Sequence, residues 1–252
     1  MNNLLYGFIV VIGIWTATTA VSLIKRNTKV DIWGALVWVL IGGLIGARLY
    51  HVASLWGYYS QNPGAIIAIW QGGLGIYGGL IGGAIALVTY SRLHHLPILQ
   101  LLDLVALGLP LGQAIGRWGN YFRQELYGLP TQLPWGIYIA PENRLWQVMP
   151  FSHFHPLFLY ESLGCLVIFG ILVGLALSEA APGGRVERVD GALFLIYIAL
   201  YGILRFTLEP LRIESWTLGS VNVAEAISAL LTITGIVLLV ILWKKKHPSK
   251  LT

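Results

Sequence analysis

The chain has 252 residues, of which 56% are hydrophobic and 11% charged, with a formal net charge of +5 and a mean hydropathy of +0.73. Soluble domains carry about 25% charged residues, so this composition excludes an ordinary soluble protein and predicts an all-α integral membrane protein. The excess of cations does not signal nucleic-acid binding, because the lysines stand at the ends of apolar runs, and a lone cysteine, Cys165, excludes an internal disulfide framework.

A membrane-crossing helix needs roughly 20 apolar residues. Seven runs meet that length: 5–24, 33–52, 72–91, 98–116, 157–177, 191–209 and 222–243. The first has Tyr6 near its start and Lys25, Arg26 and Lys29 after it. No basic stretch precedes it, so it reads as a span and not as a cleaved signal peptide. The second closes on GARLYHV, with Arg48 and His51 approaching that end. The third, QGGLGIYGGLIGGAIAL, spaces Gly75, Gly79 and Gly83 four apart, with Gly78 and Gly82 beside them, and the second holds Gly42 and Gly46. Small residues at this spacing let helix backbones pack closely. Those flanking Tyr77 also leave room for an acyl chain beside its hydroxyl.

The fourth run contains Asp103, read as structural, and leads into GQAIGRWGNYFRQELYG, which places Arg117, Asn120, Arg123 and Glu125 within nine residues. The segment 117–156 is the longest non-apolar stretch, with Pro130, Pro134, Pro141, Pro150 and Pro156. Its length predicts a folded cap over the membrane surface, and its Trp and Tyr residues suit the interface. The fifth run opens with FHPLFLYES, giving His155, Tyr160 and Glu161. In the sixth, YGILRFTLEP sets Arg205 and Glu209 four apart, on one helix face. An intramembrane pair of this kind usually faces a cavity or a pathway. Cys165 lies in the apolar stretch LGCLVIF and reads as a packed core residue.

Basic clusters at 25–29, at Arg92, at Arg185 and Arg188, and at Lys244, Lys245, Lys246 and Lys250 all fall on one side of a seven-span chain. That side is the cytoplasm, which puts the N-terminus outside, the C-terminus inside and the 117–156 cap outside. All six lysines are then cytoplasmic, whereas Arg48, Arg117, Arg123, Arg144, Arg205 and Arg212 lie in outer halves of spans or outer loops. A guanidinium differs from an ammonium in offering a planar fork that matches phosphate oxygens in pairs. Six outward arginines and no outward lysine therefore point to an anion at the outer leaflet. Arg48, Arg117, Arg205, Asn120, Glu125, Glu161 and Glu209 are expected at one depth, around a wet cavity sized for a phospholipid headgroup. No zincin, nucleophile-elbow or Walker A pattern occurs, so an enzyme here lacks an obvious nucleophile of its own and would take the attacking group from a substrate.

These residues resemble a known family. GRWGNYFRQELYG is similar to the Gly-Arg-x-Gly-Asn-Phe-x-Asn-x-Glu signature of prolipoprotein diacylglyceryl transferases, and GARLYHV, GGLGIYGGLIGG, LPWGIYI, HPLFLYES and YGILRFTLEPLR follow in family order. The resemblance covers the chain from Tyr6 to the last span. It implies seven helices and transfer of the diacylglyceryl group from phosphatidylglycerol to the lipobox cysteine of a prolipoprotein signal peptide, with no cofactor or metal. It further implies that Arg117 is the main phosphate ligand, Asn120 and Glu125 its signature neighbours, Arg205 a second essential arginine and Glu209 its partner. Candidate substrate contacts are Arg117, Tyr6, Arg48, Tyr77, Gly128, His155, Tyr160 and Glu161. Three positions depart from the family pattern: Tyr77 stands where many members have His, Arg123 replaces the second Asn of the signature, and Leu157 replaces the Thr or Ser after His-Pro. Residues 1–252 are expected to form a single transmembrane domain in the bacterial inner membrane, among membrane lipids. The competing readings are an anion transporter or channel and a lipid-binding paralogue without turnover.

Overall fold

A computed structural model describes residues 2–25, 28–180, 189–214, 217–219 and 221–246. Seven helices among them are long and apolar enough to cross a membrane. They are α1 (Asn2–Ile24), α2 (Ile32–Ser54), α4 (Ile76–Leu93), α5 (Ile98–Arg123), α6 (Leu157–Ala180), α7 (Ala192–Leu208) and α8 (Val223–Lys246), with a single extra turn, α3 (Trp56–Tyr59). The chain packs as two compact units, one of Met1–Ile24 with Leu102–Thr252 and the other of Lys25–Leu101, where a single domain is expected from the sequence. Of the basic residues used to orient the chain, Arg26, Arg185, Arg188 and Lys250 lie outside the described residues.

In the Lys25–Leu101 unit, α2 and α4 pack backbone to backbone. A Cβ on Gly46 would overlap the carbonyl oxygen of Gly78, and one on Gly82 would overlap that of Gly42, so only hydrogen fits at the crossing. Asp31 caps α2 by accepting from the Gly34 N–H at 3.0 Å, while its own carbonyl accepts from the Tyr90 hydroxyl at 3.1 Å. The third span begins at Ile76, later than the apolar run alone predicts. Gly72 and Gly73 take φ of +87° and +73°, which ends any helical path there.

In the other unit, Asp103 on α5 is 5% exposed and accepts from the backbone N–H groups of Gly191 at 2.8 Å and Phe194 at 3.0 Å. One buried carboxylate therefore caps the N-terminus of α7 from a different helix, the structural role expected for it. Asn222 caps α8 through Ala224 and Glu225, and Lys244, Lys245 and Lys246 fill its last turn, where cations suit the helix dipole. Ser162 on α6 donates to the Ala114 carbonyl of α5 at 2.9 Å. This bond fixes the start of α6 against the second half of α5.

The segment after α5 is a folded cap with its own small core of Tyr127, Ile139, Val148 and Phe154, as its length predicts. Two short strands, β1 (Ile137–Tyr138) and β2 (His153–Phe154), pair antiparallel, and Pro130 bridges to Phe154 on the other side. A second two-stranded ladder, β3 (Thr217–Leu218) with β4 (Val221–Asn222), precedes α8.

Candidate active site

The fourth span does not end at 116, as hydropathy predicts, but runs on to Arg123. The first half of the signature is thus helical, which places Arg117 and Asn120 one turn apart on one face. Arg117 Nη1 lies 3.5 Å from Asn120 Oδ1, and Asn120 Nδ2 donates to Glu125 Oε1 at 3.0 Å. Glu125 reaches back because the chain reverses just after the helix. Gln124 and Leu126 adopt φ of +51° and +55°, a left-handed conformation that costs non-glycine residues roughly 1–2 kcal/mol each. The cap offsets this cost, since Gln124 Oε1 accepts from the Ala140 N–H at 2.8 Å and from Asn143 Nδ2 at 3.1 Å. Tyr127 adds a second tie, accepting from the Leu145 N–H and donating to the Asn143 carbonyl.

Glu161, in the first turns of α6, is 4% exposed and draws donors from two other helices. Its Oε1 accepts from Arg117 Nη2 at 2.5 Å and from the Tyr201 hydroxyl at 3.0 Å, and its Oε2 lies 3.5 Å from Arg205 Nη1. Arg205 Nη2 donates to Glu209 Oε2 at 3.0 Å, the i,i+4 pair expected from the spacing, and Glu209 is 2% exposed. Arg212 completes the cluster, with Nε 4.0 Å from Glu209 Oε2. Burial, followed by repulsion from Arg205, lowers the Arg212 pKa from the ordinary arginine value, opposed by Glu209. Among the described residues, three guanidiniums thus face two carboxylates, an excess of one positive charge.

Among the described residues, these groups do not surround an open headgroup cavity as expected from the sequence. The free volume among Arg117, Glu161, Arg205 and Arg212 is about 10 Å³, room for roughly one water. The physical reason is mutual attraction: opposite charges on α5, α6 and α7 close upon one another.

The other candidate residues have distinct placements. Arg48 is 7% exposed, and its guanidinium donates to the carbonyls of Ile66, Gly72, Gly73, Ala65 and Ala68 at 2.5–3.4 Å. Five acceptors meet its five N–H donors, so it anchors the loop before α4 instead of offering a fork to a phosphate. Tyr77 is exposed at the start of α4, its ring 6.0 Å from that of Tyr50. Tyr6 packs on Gly119, where a Cβ would meet its ring at 2.6 Å, and the Arg123 guanidinium covers the ring at 5.1 Å. Arg123 also pairs with Glu125 at 3.3 Å, so the departure from the family's Asn is taken up by neighbours.

Gly128 has a backbone task. Its N–H donates to the His155 carbonyl, it bridges to Arg212, and a Cβ there would collide with His155 and the Leu211 carbonyl. Gly128 therefore holds the segment carrying Arg212 against the head of α6. Leu157 packs on the same glycine and lines the cluster. His155 Nδ1 lies 3.2 Å from the Tyr160 hydroxyl, which accepts from Trp135 Nε1 at 2.8 Å, so both residues tie the cap to α6. Arg144, counted among the outward cations, donates to the Ile139 and Met149 carbonyls and braces the cap. Sequence reasoning passes over Tyr201, Gln124 and the individual role of Arg212. Only the i,i+3 offset of Arg212 from Glu209 and the i,i+4 offset of Tyr201 from Arg205 hint at the cluster.

Residues 4–241 match the family profile described as prolipoprotein diacylglyceryl transferase. The chain is similar to a protein of Nostoc sp. named phosphatidylglycerol–prolipoprotein diacylglyceryl transferase, 42% identical over 225 residues, covering 89% of this chain and 79% of that one. Proteins of the same name from Finegoldia magna and Synechococcus elongatus are 39% and 37% identical, over 92% and 96% of this chain and 88% and 84% of theirs. On a match spanning nearly every described helix and the whole arginine–glutamate cluster, this chain belongs to the prolipoprotein diacylglyceryl transferase family.

Proposed function

We propose that this chain transfers the diacylglyceryl group of phosphatidylglycerol to the thiol of a prolipoprotein lipobox cysteine, forming a thioether and releasing glycerol 1-phosphate. The reaction takes place in the outer half of the bacterial inner membrane, with the N-terminus outside and the C-terminus in the cytoplasm. The observation that carries this reading is the cluster of Arg117, Arg205 and Arg212 against Glu161 and Glu209. Its single excess positive charge, half-buried among apolar helices, matches the single negative charge of a phosphodiester. A buried charge left without a partner is costly, so an anionic ligand is favoured there over a neutral one.

The sulfur–carbon bond forms on the glycerol carbon that bears the phosphate, as the carbon–oxygen bond to that phosphate breaks. Negative charge grows on the departing oxygen. Arg117 and Arg205, aimed beforehand by Asn120, Glu161 and Glu209, stabilise it without having to reorganise, the arrangement that lowers barriers most. The thiol proton leaves on the phosphate monoester, whose second ionisation lies at about 6, or passes from it to water. Asn120 and Glu125 hold the signature turn, and Tyr6 braces Gly119 beneath it. Tyr77, His155 and Tyr160 contact the substrates or the parts that hold them, and surrounding membrane lipids supply the donor.

The test incubates purified protein with phosphatidylglycerol vesicles and a synthetic lipobox peptide. Mass spectrometry is expected to find a diacylglyceryl thioether on the peptide cysteine, together with free glycerol phosphate. Absence of both, under conditions in which the Nostoc relative yields them, overturns the reading.

A further inference from the structure

We propose that Glu161 is an internal stand-in for the substrate phosphate, which the headgroup displaces from Arg205 on binding, so that the Glu161 charge opposes lipid affinity. This rests on the reading above of a phosphatidylglycerol site. A carboxylate and a phosphodiester each present two oxygens carrying one negative charge, and a guanidinium fork accepts either. Glu161 already fills that role: Oε1 takes Arg117 and Tyr201, and Oε2 faces Arg205. Room for roughly one water remains among these groups, so no phosphate enters until one of the contacts opens.

The contacts are unequal, and that decides which one yields. Arg117 holds Glu161 at 2.5 Å and otherwise meets uncharged groups among the described residues, Asn120 at 3.5 Å and the Tyr201 hydroxyl. Arg205 stands 3.5 Å from Glu161 while keeping Glu209 at 3.0 Å. Parting Arg205 from Glu161 therefore leaves neither guanidinium without a carboxylate, whereas parting Arg117 strands a half-buried cation. Glu209 does not play the same part, because it pairs along its own helix and moves with Arg205. The phosphate enters between Arg205 and Glu161, with Arg212 on its far side.

The test compares wild-type, Glu161→Gln and Tyr201→Phe proteins in detergent, measuring calorimetric affinity for dihexanoyl phosphatidylglycerol, the KM and kcat of thioether formation, and thermal unfolding. Glutamine keeps the shape but removes the competing charge, which at this spacing is worth about tenfold or more in affinity. Phenylalanine keeps the charge but removes one donor that holds the carboxylate in place. The expected result is a Kd and KM about tenfold lower for Glu161→Gln, a smaller fall for Tyr201→Phe, and a reduced kcat in both, since Arg117 loses its guide. A Kd that rises or stays level in folded variants, with wild-type turnover intact, overturns the stand-in role and makes Glu161 a scaffold only. Should Glu161→Gln fail to fold, the direction of the Tyr201→Phe shift decides. A wild-type protein that neither binds the lipid nor forms thioether removes the underlying reading, and the stand-in role with it.

Discussion

In the proposed reaction the chemistry turns on Arg117, and its surroundings give the reason to expect that another cation would not serve. Its guanidinium spans Asn120 on one arm and Glu161 on the other, a geometry that requires a planar fork. Lysine would keep the charge and lose the pairing. Arg117→Lys is expected to lower kcat by about 100-fold, the scale of losing one preorganised oxyanion donor, with little change in unfolding temperature. Steady-state thioether formation checks this, and near-normal turnover would mean that charge alone suffices. Arg48 teaches the opposite lesson. Sequence marks it as an outward arginine like the others, yet its five donors meet carbonyls of residues 65–73 in its own unit. Residue type shows that a fork is present, and only the fold shows what it grips.

At the scale of elements, two devices do most of the positioning. One is the extension of α5 beyond its apolar run, followed by the left-handed turn at Gln124 and Leu126, which folds Glu125 back onto Asn120. Hydropathy stops reading at the membrane edge, so it misses helix that is stabilised by polar contacts and by the cap. The other is the glycine-lined crossing of α2 and α4. There the small-residue spacing is legible in sequence, although the same pattern recurs at glycines that touch nothing. Gly46→Ala forces a methyl against the Gly78 carbonyl and is expected to destabilise by about 1–3 kcal/mol. Gly170→Ala, with no atom within 4 Å of the new methyl, is expected to be neutral or to stabilise by up to about 1 kcal/mol through helix propensity. Thermal unfolding in detergent separates the two, and equal effects would refute the close-packing account.

For the whole molecule, orientation is the property with the widest consequence, because it decides which compartment the cluster faces. The proposed orientation, from the positive-inside bias, has the cap outside and Lys244–Lys246 in the cytoplasm. A cysteine introduced by Thr131→Cys is expected to react with a membrane-impermeant maleimide on intact cells, and one introduced by Lys245→Cys only after permeabilisation. The native Cys165 is fully buried and stays silent in both. The reverse labelling pattern would place the reaction on the cytoplasmic side and end the proposed access to exported prolipoproteins.

Sequence by itself determined the membrane character, six of the seven spans to within four residues, the folded cap and the Arg205–Glu209 pair, because each follows from composition or from the local 3.6-residue period. The tertiary structure alone decided that Glu161 on α6 bridges Arg117 on α5 to Arg205 on α7, that Gly128 holds Arg212 in place, and that the charged groups close on each other. Those contacts join residues 44 to 84 positions apart, and no local period encodes a meeting at that distance.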